Sequence, residues 1–263
     1  MILNWLCMSR DSRRAIEFRN VSFRLANGKT LLSGLNIEIF QGETLILLGR
    51  SGCGKTTTLK LINRLLDPTE GEVMVEGTAT TQWDPIRLRR RIGYVIQEIG
   101  LFPHWTVEEN VAVVPRLEGW GAEKTKARAR ELLEMVGLEP ARFASRYPRE
   151  LSGGQRQRVG VARALAADPP IILLDEPFGA LDPITRREIQ QEFRSLQERL
   201  GKTMVFVTHD VREAFLLASR IALLKDGKMI LAGQPAELLK SADPEAKAFA
   251  DCLHDPEPAE GRS

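Results

Sequence analysis

The sequence predicts an α/β fold: a mostly parallel sheet with helices on its faces, an antiparallel β segment ahead of it and a helical subdomain inserted within it. Three observations carry this. Short, wholly apolar runs at 44–48 and 171–174 read as strands buried on both faces, as strands of parallel sheets are. Helix-period segments alternate with such strands along the chain. The first apolar run leads directly into a glycine-rich loop and then a helix, an order that sets a loop at the end of a buried strand.

The elements follow in order. Residues 15–24 alternate apolar and polar, and 31–40 alternate again with Leu35, Ile37 and Ile39 on one face. Asn27-Gly28 between them is a hairpin signal. Gln41-Gly42 turns the chain into the buried strand 44–48. Past the glycine-rich loop the pattern predicts a helix over 55–66, stopped by Asp67-Pro68. Residues 73–75 and 92–96 are further strands. From 98 to 150 the character changes: 123–136 is helix-spaced with few β-branched residues, and Pro140 and Pro148 punctuate the stretch, which predicts a mainly helical insert. A helix from Ser152 to about Ala167 precedes the strand 171–174. Helix 184–200, strand 204–208 and helix 211–217 come next, then strands 221–224 and 229–232 around the turn Asp226-Gly227. One domain is expected over 15–240, with an N-terminal arm at 1–14. Residues 241–263 read as a short helix and a solvated tail, since 243–263 hold six acids, two bases and three prolines.

Composition bounds the function. The 263 residues carry Lys+Arg 37 against Asp+Glu 35, a net charge of +2, which is not the footprint of a nucleic-acid-wrapping protein. No apolar run approaches the ~20 residues of a membrane span. Cys7, Cys53 and Cys252 are sparse and form no Cys-x-x-Cys pair, so a thiolate metal site is not expected and a reducing compartment is. At the N-terminus a short apolar stretch precedes its charges, the reverse of a secretory signal; it reads as a frayed arm, or translation begins at Met8.

The chemistry concentrates in a few places. Gly49-Arg50-Ser51-Gly52-Cys53-Gly54-Lys55-Thr56 fits G-x-x-x-x-G-K-[ST] between a buried strand and a helix. Glycines there let backbone N–H groups crowd round phosphate, Lys55 supplies charge at the β/γ-phosphates, and the Thr56 hydroxyl is placed to ligate Mg²⁺. Cys53 within the loop reads either as a redox switch or as a small residue tolerated at a variable position. Asp175 and Glu176 end an aliphatic strand; Asp175 suits Mg²⁺, and Glu176, one residue further out, suits a general base that polarises attacking water. Ser152, Gly153, Gly154 and Gln155 make a second glycine-rich helix start, with Ser152 as N-cap. Two anion sites for one γ-phosphate imply two chains sharing nucleotides. His209, after strand 204–208, would stand beside the phosphates.

Together these residues resemble the ATP-binding-cassette (ABC) ATPases, a group of P-loop NTPases, over about 15–240. The loop from Gly49 to Thr57 matches Walker A, Gln97 the Q-loop, and Leu151–Gln155 the signature motif. Asp175 with Glu176 matches Walker B and its catalytic glutamate, Ala180-Leu181-Asp182 the D-loop, and His209 the switch histidine. The resemblance implies ATP and Mg²⁺ as ligands, with Thr56, Gln97 and Asp175 around the metal and Glu176, His209 and Gln97 in the catalytic set. Residues 92–104, 175–186 and 58–64 are similar to the ATPases of osmoprotectant importers, those for glycine betaine, carnitine or choline. That implies a motor subunit, cytoplasmic and peripheral on the inner membrane face. Its expected partners are a second ATPase subunit, as a homodimer, transmembrane permease subunits and, indirectly, a substrate-binding protein.

Two departures stand out. Family members place an aromatic against adenine where this chain has Leu25, with Phe23 two residues earlier. Either Leu25 packs on the base as an aliphatic residue in the ATP site, or base selectivity falls below the family norm. Many osmoprotectant ATPases also carry C-terminal regulatory domains, for which a chain ending at Ser263 leaves no room. Phe102, Trp105 and Trp120 in the helical insert are either permease contacts or subdomain core. Alternative functions are an ABC importer ATPase for another small solute, and a non-transport ABC ATPase of DNA repair or translation. The absence of sustained heptads between Lys55 and Asp175 weighs against the latter.

Overall fold

The computed structural model describes residues 13–97, 100–179 and 181–253. The arm up to 12, Glu98 and Ile99, Ala180 of the D-loop match and the tail beyond 253 lie outside the described residues.

The chain opens with β1 (Arg14–Arg24) and β2 (Thr30–Phe40), then β3 (Thr44–Leu48), α1 (Lys55–Ile62), β4 (Glu70–Val75), β5 (Thr78–Ala79), α2 (Pro85–Arg90) and β6 (Ile92–Val95). The helical insert follows as α3 (Val107–Leu117), α4 (Ala122–Met135) and α5 (Pro140–Phe143). Next come α6 (Gly153–Leu165), β7 (Ile171–Asp175), α7 (Pro183–Leu200), β8 (Thr203–Thr208) and α8 (Val211–Leu217). The chain returns through β9 (Arg220–Lys225), β10 (Lys228–Gly233), α9 (Pro235–Lys240) and α10 (Pro244–Asp251).

These strands form an antiparallel sheet in the order β2-β1-β4-β5 and a six-stranded sheet in the order β10-β9-β3-β8-β7-β6. In the larger sheet β9, β3, β8, β7 and β6 run parallel and β10 turns back antiparallel on β9. The apolar strands face two cores, as their composition requires. Ile46 and Leu48 of β3, Ile172 and Leu174 of β7, and Met204 and Phe206 of β8 face the helices. Their neighbours Leu45, Leu47, Ile171, Leu173, Val205 and Val207 pack on the other side with Ile16, Phe18, Ile37 and Ile39 of the antiparallel sheet. Adding one polar residue to β3 would expose it to one core or the other. No helix among the described residues is long and apolar enough to cross a membrane.

Two local findings differ from the sequence reading. Helix α1 stops at Ile62, short of the predicted 66, because Arg64 takes a left-handed φ of 52° and Leu65 and Leu66 both donate their N–H to the Lys60 carbonyl. The insert is also more tightly tied than periodicity shows. Asn110, fully buried in α3, accepts from the Phe102 N–H at 2.7 Å and donates to the carbonyls of Phe102, Trp105 and Thr106. One side chain thus fixes the loop ahead of α3, whose entry is closed by a reciprocal capping box between Thr106 and Glu109.

Candidate functional site

The functional side chains leave the larger sheet at the carboxyl ends of its parallel strands. Leu48 pairs with Thr208 and Asp175 with Val207, so β3, β8 and β7 end side by side. The phosphate loop, His209 and Glu176 therefore emerge together, at the carboxyl ends where open α/β sheets bind ligands. An open cleft of about 690 Å³ lies there, lined by Arg50, Ser51, Gly52, Gly54, Lys55, Thr56, Thr57, Gln97, Glu176 and His209, with Lys29, Leu31 and Phe249 completing it.

Sterics explain two of the loop's glycines, Gly49 and Gly54. A Cβ at Gly49 would sit 2.4 Å from the Leu224 carbonyl and 2.7 Å from the Cys53 sulfur. Gly54 has a left-handed φ of 106°, and a Cβ on it would meet Leu32 at 2.6 Å. Lys55 is buried, and its ammonium donates to the carbonyls of Gly49 at 2.7 Å and Arg50 at 2.9 Å. Its charge is thus held inside the loop by neutral acceptors that an anionic oxygen can outcompete. Cys53 is buried 3.9 Å from that ammonium, and burial pushes its thiol pKa up. Little thiolate forms, which favours the tolerated small residue over the redox switch.

The two carboxylates divide cleanly. Asp175 is buried and accepts from the Thr56 hydroxyl at 2.9 Å and the Tyr94 hydroxyl at 3.4 Å. Burial raises its pKa, partly offset by the Thr56 bond and reinforced by the Glu176 charge. A buried carboxylate in that position gains by meeting a cation. Burial and the neighbouring Asp175 also push the Tyr94 phenol up, so it remains a donor. Glu176 adopts a left-handed φ of 43° and donates its backbone N–H to the Val207 carbonyl at 3.0 Å, which turns its side chain off the strand. On its Oε2 converge His209 Nδ1 at 3.2 Å and the Gln97 amide at 3.4 Å.

A family model described as "ABC transporter" matches residues 32–179. The chain belongs to the ABC transporter family. It is 53% identical over 226 residues to the Glycine betaine/carnitine/choline transport ATP-binding protein OpuCA of Bacillus subtilis, covering 86% of this chain and 59% of that protein. It is also 53% identical over 208 residues to the Osmoprotectant import ATP-binding protein OsmV of Salmonella typhimurium, covering 79% and 54%. The chain therefore spans somewhat over half the length of these relatives. Among solved structures, the dimeric post-hydrolysis state of the ATP-binding cassette MJ0796 bound to ADP and Pi aligns at TM-score 0.74 and 40% identity. That match covers 84% of this chain and 98% of that one, and it agrees with the predicted fold class.

Other predicted residues of this cassette stand apart from the cleft. Ser152, Gly153, Gly154 and Gln155 open α6 and are not among the cleft's lining residues. Ser152 and Gln155 cap each other, at 3.0 and 3.3 Å. Gly154 has a packing reason of its own: a Cβ there would meet Thr185 at 2.8 Å and Ile189 at 3.0 Å, whereas one at Gly153 finds nothing nearer than Leu181 at 3.6 Å. Asp182 caps α7, accepting from the Thr185 N–H at 3.0 Å, and that bond holds its carboxyl below the usual range. Leu25 lies in the turn ahead of β2, 38% exposed, bonded to Lys29 and Gly28; the structure does not bring it into the cleft lining, where Lys29 and Leu31 stand instead. Phe102 and Trp105 are exposed, with their rings tilted by 38° at 4.5 Å between centroids, while Trp120 is half-buried beneath the Lys124 ammonium at 4.0 Å.

Three participants escaped the sequence reading. Tyr94 reaches Asp175 only because β6 pairs with β7. Glu213, buried in α8, accepts from the Thr208 hydroxyl at 2.5 Å and the Gln190 amide at 2.9 Å, bracing the strand end beneath His209. Phe249 enters the cleft from α10, a segment whose acidic composition gave no signal of it.

Proposed function

We propose that this chain is the ATP-binding and hydrolysing subunit of an importer for an osmoprotectant, a quaternary amine or close analogue. The observation that carries it is the meeting of Lys55, Thr56, Gln97, Glu176 and His209 around one cleft, with Asp175 behind Thr56. ATP would seat its β- and γ-phosphates in the loop, drawing the Lys55 ammonium from its carbonyl acceptors. Thr56, Asp175 and Gln97 offer hydroxyl, carboxylate and amide oxygens, the hard donor set that Mg²⁺ takes. These residues would hold Mg²⁺ beside the phosphates, where it would supply positive charge against the negative charge that develops in phosphoryl transfer.

Glu176 takes a proton from the attacking water. It is suited to that because it stands outside the strand with its Oε2 held by the Gln97 amide and the His209 ring. Both partners also orient it, so the base meets the water at a fixed angle. The separate Ser152–Gln155 helix start fits a head-to-tail dimer, in which the signature of one copy covers the nucleotide of the other. ATP then favours the closed dimer, and hydrolysis releases it. The exposed Phe102–Trp105 pair and the helical insert suit contact with a permease subunit, at the inner face of the membrane. The osmoprotectant reading rests on the identity with relatives named for glycine betaine, carnitine and choline.

The test is Glu176→Gln. It should retain ATP binding and lower Mg²⁺-dependent turnover about 10²–10⁴-fold. Turnover equal to that of the unchanged protein would remove Glu176 from the base role. Uptake of labelled choline, carnitine or glycine betaine by the assembled transporter, lost in the same variant, tests the cargo.

A further inference from the structure

The C-terminal helix is built onto the phosphate loop. Glu245, buried in the first turn of α10, pairs with Arg50 of the loop at 2.5 Å and with Lys225 of β9 at 3.4 Å. These bonds hold its carboxyl below the usual range. The helix itself starts firmly, because Asp243 accepts from the N–H groups of Glu245 and Ala246. Ala246 is fully buried in the main core, so α10 is seated and not merely adjacent. Residues four apart share a helix face, and four residues beyond Glu245 stands Phe249. Phe249 is half-buried and lines the cleft.

The cleft lining is otherwise polar or glycine, apart from Leu31. Lys55, Thr56, Gln97, Glu176 and His209 answer the phosphates. Phe249 supplies the lining's one benzenoid ring, and a nucleotide presents one flat apolar group, its base. Leu25 lies outside that lining. We propose that Phe249 is the base-contacting residue of this cassette, and that the Arg50–Glu245–Lys225 ion pairs are positioning contacts that hold α10 so as to offer it. The proposal rests on the reading of the cleft as an ATP site. It makes the C-terminal helix part of the nucleotide site and couples its seating to the phosphate loop through Arg50.

Calorimetric titration of the full chain with ATP and with inorganic tripolyphosphate tests this. Base–aromatic stacking predicts that Phe249→Ala and Phe249→Leu weaken ATP about tenfold or more while leaving tripolyphosphate affinity unchanged. Phe249→Leu keeps apolar packing, and its melting curve checks that the fold survives. Phe249→Trp should hold or strengthen ATP binding. Glu245→Gln should weaken ATP by less, and add nothing in a Phe249→Ala background. ATP affinity indifferent to Phe249, or an equal loss for ATP and tripolyphosphate, would overturn the proposal while leaving the cleft reading in place. If the unchanged protein bound neither ligand, the cleft reading itself would fall and take the proposal with it.

Discussion

The phosphate-loop edge and the start of α6 are both glycine-rich helix entrances, yet they are built differently. At the loop, every functional group is bonded to another functional group: Lys55 to its own loop carbonyls, Thr56 to Asp175, Gln97 and His209 to Glu176. At α6, among the described residues, Ser152 and Gln155 cap each other. On the proposed reading the first is the catalytic side, its side chains joined within one chain. The second is a capped helix end that stands outside the cleft lining. On the proposed reading each is half of what hydrolysis needs, and the other half belongs to a second copy.

The largest effect expected from breaking the loop side is the loss of turnover in Glu176→Gln, since that residue is the hub on which two neighbours converge. A smaller effect probes how deeply that side is braced. Burial pushes Glu213 up to about 7, against help from Thr208, Gln190 and the Arg186 charge, and with a further push from Asp210. Its folded pKa lies above its unfolded value, so the folded state holds the extra proton. That stability is present below the ordinary carboxylate range and is lost as pH rises towards about 7. Glu213→Gln should therefore flatten the pH dependence of unfolding in that window and raise stability above it, by about 3 kcal/mol at most. Denaturant titrations at pH 4.5, 6 and 8 check it; parallel curves for both proteins would remove Glu213 as the cause.

On the α6 side the sharpest contrast is between adjacent glycines. Gly154→Ala drives a Cβ against Thr185 and Ile189 and should cost about 1–3 kcal/mol. Gly153→Ala has room and should cost under about 0.5 kcal/mol. Equal losses, measured by thermal melts, would show that the helix start is not held by its packing on α7.

Much of this was legible in the residues. Period-2 and all-apolar runs located the strands because burial on one or both faces leaves a mark on every residue. The loop and the Asp175–Glu176 pair were legible because their chemistry is local in sequence. What stayed hidden depends on distant pairings. Tyr94 acquires its role from the β6–β7 register, Glu213 from the docking of α8, and Phe249 from an ion pair across the fold between Arg50 and Glu245. The early end of α1 leaves no mark in the residues, because a left-handed arginine carries no compositional signal. Leu25 holds the place of the family's aromatic in sequence, but the turn that carries it leaves it outside the cleft lining.

If the two half-sites meet between copies, nucleotide must drive the copies together. Sedimentation of Glu176→Gln protein, with and without ATP, measures this. The prediction is a monomer without nucleotide and a dimer with it, and return to monomer when Ser152→Ala is added, although each chain still binds ATP. A species that stays monomeric at saturating ATP, or an ATP-driven dimer indifferent to Ser152, would contradict it.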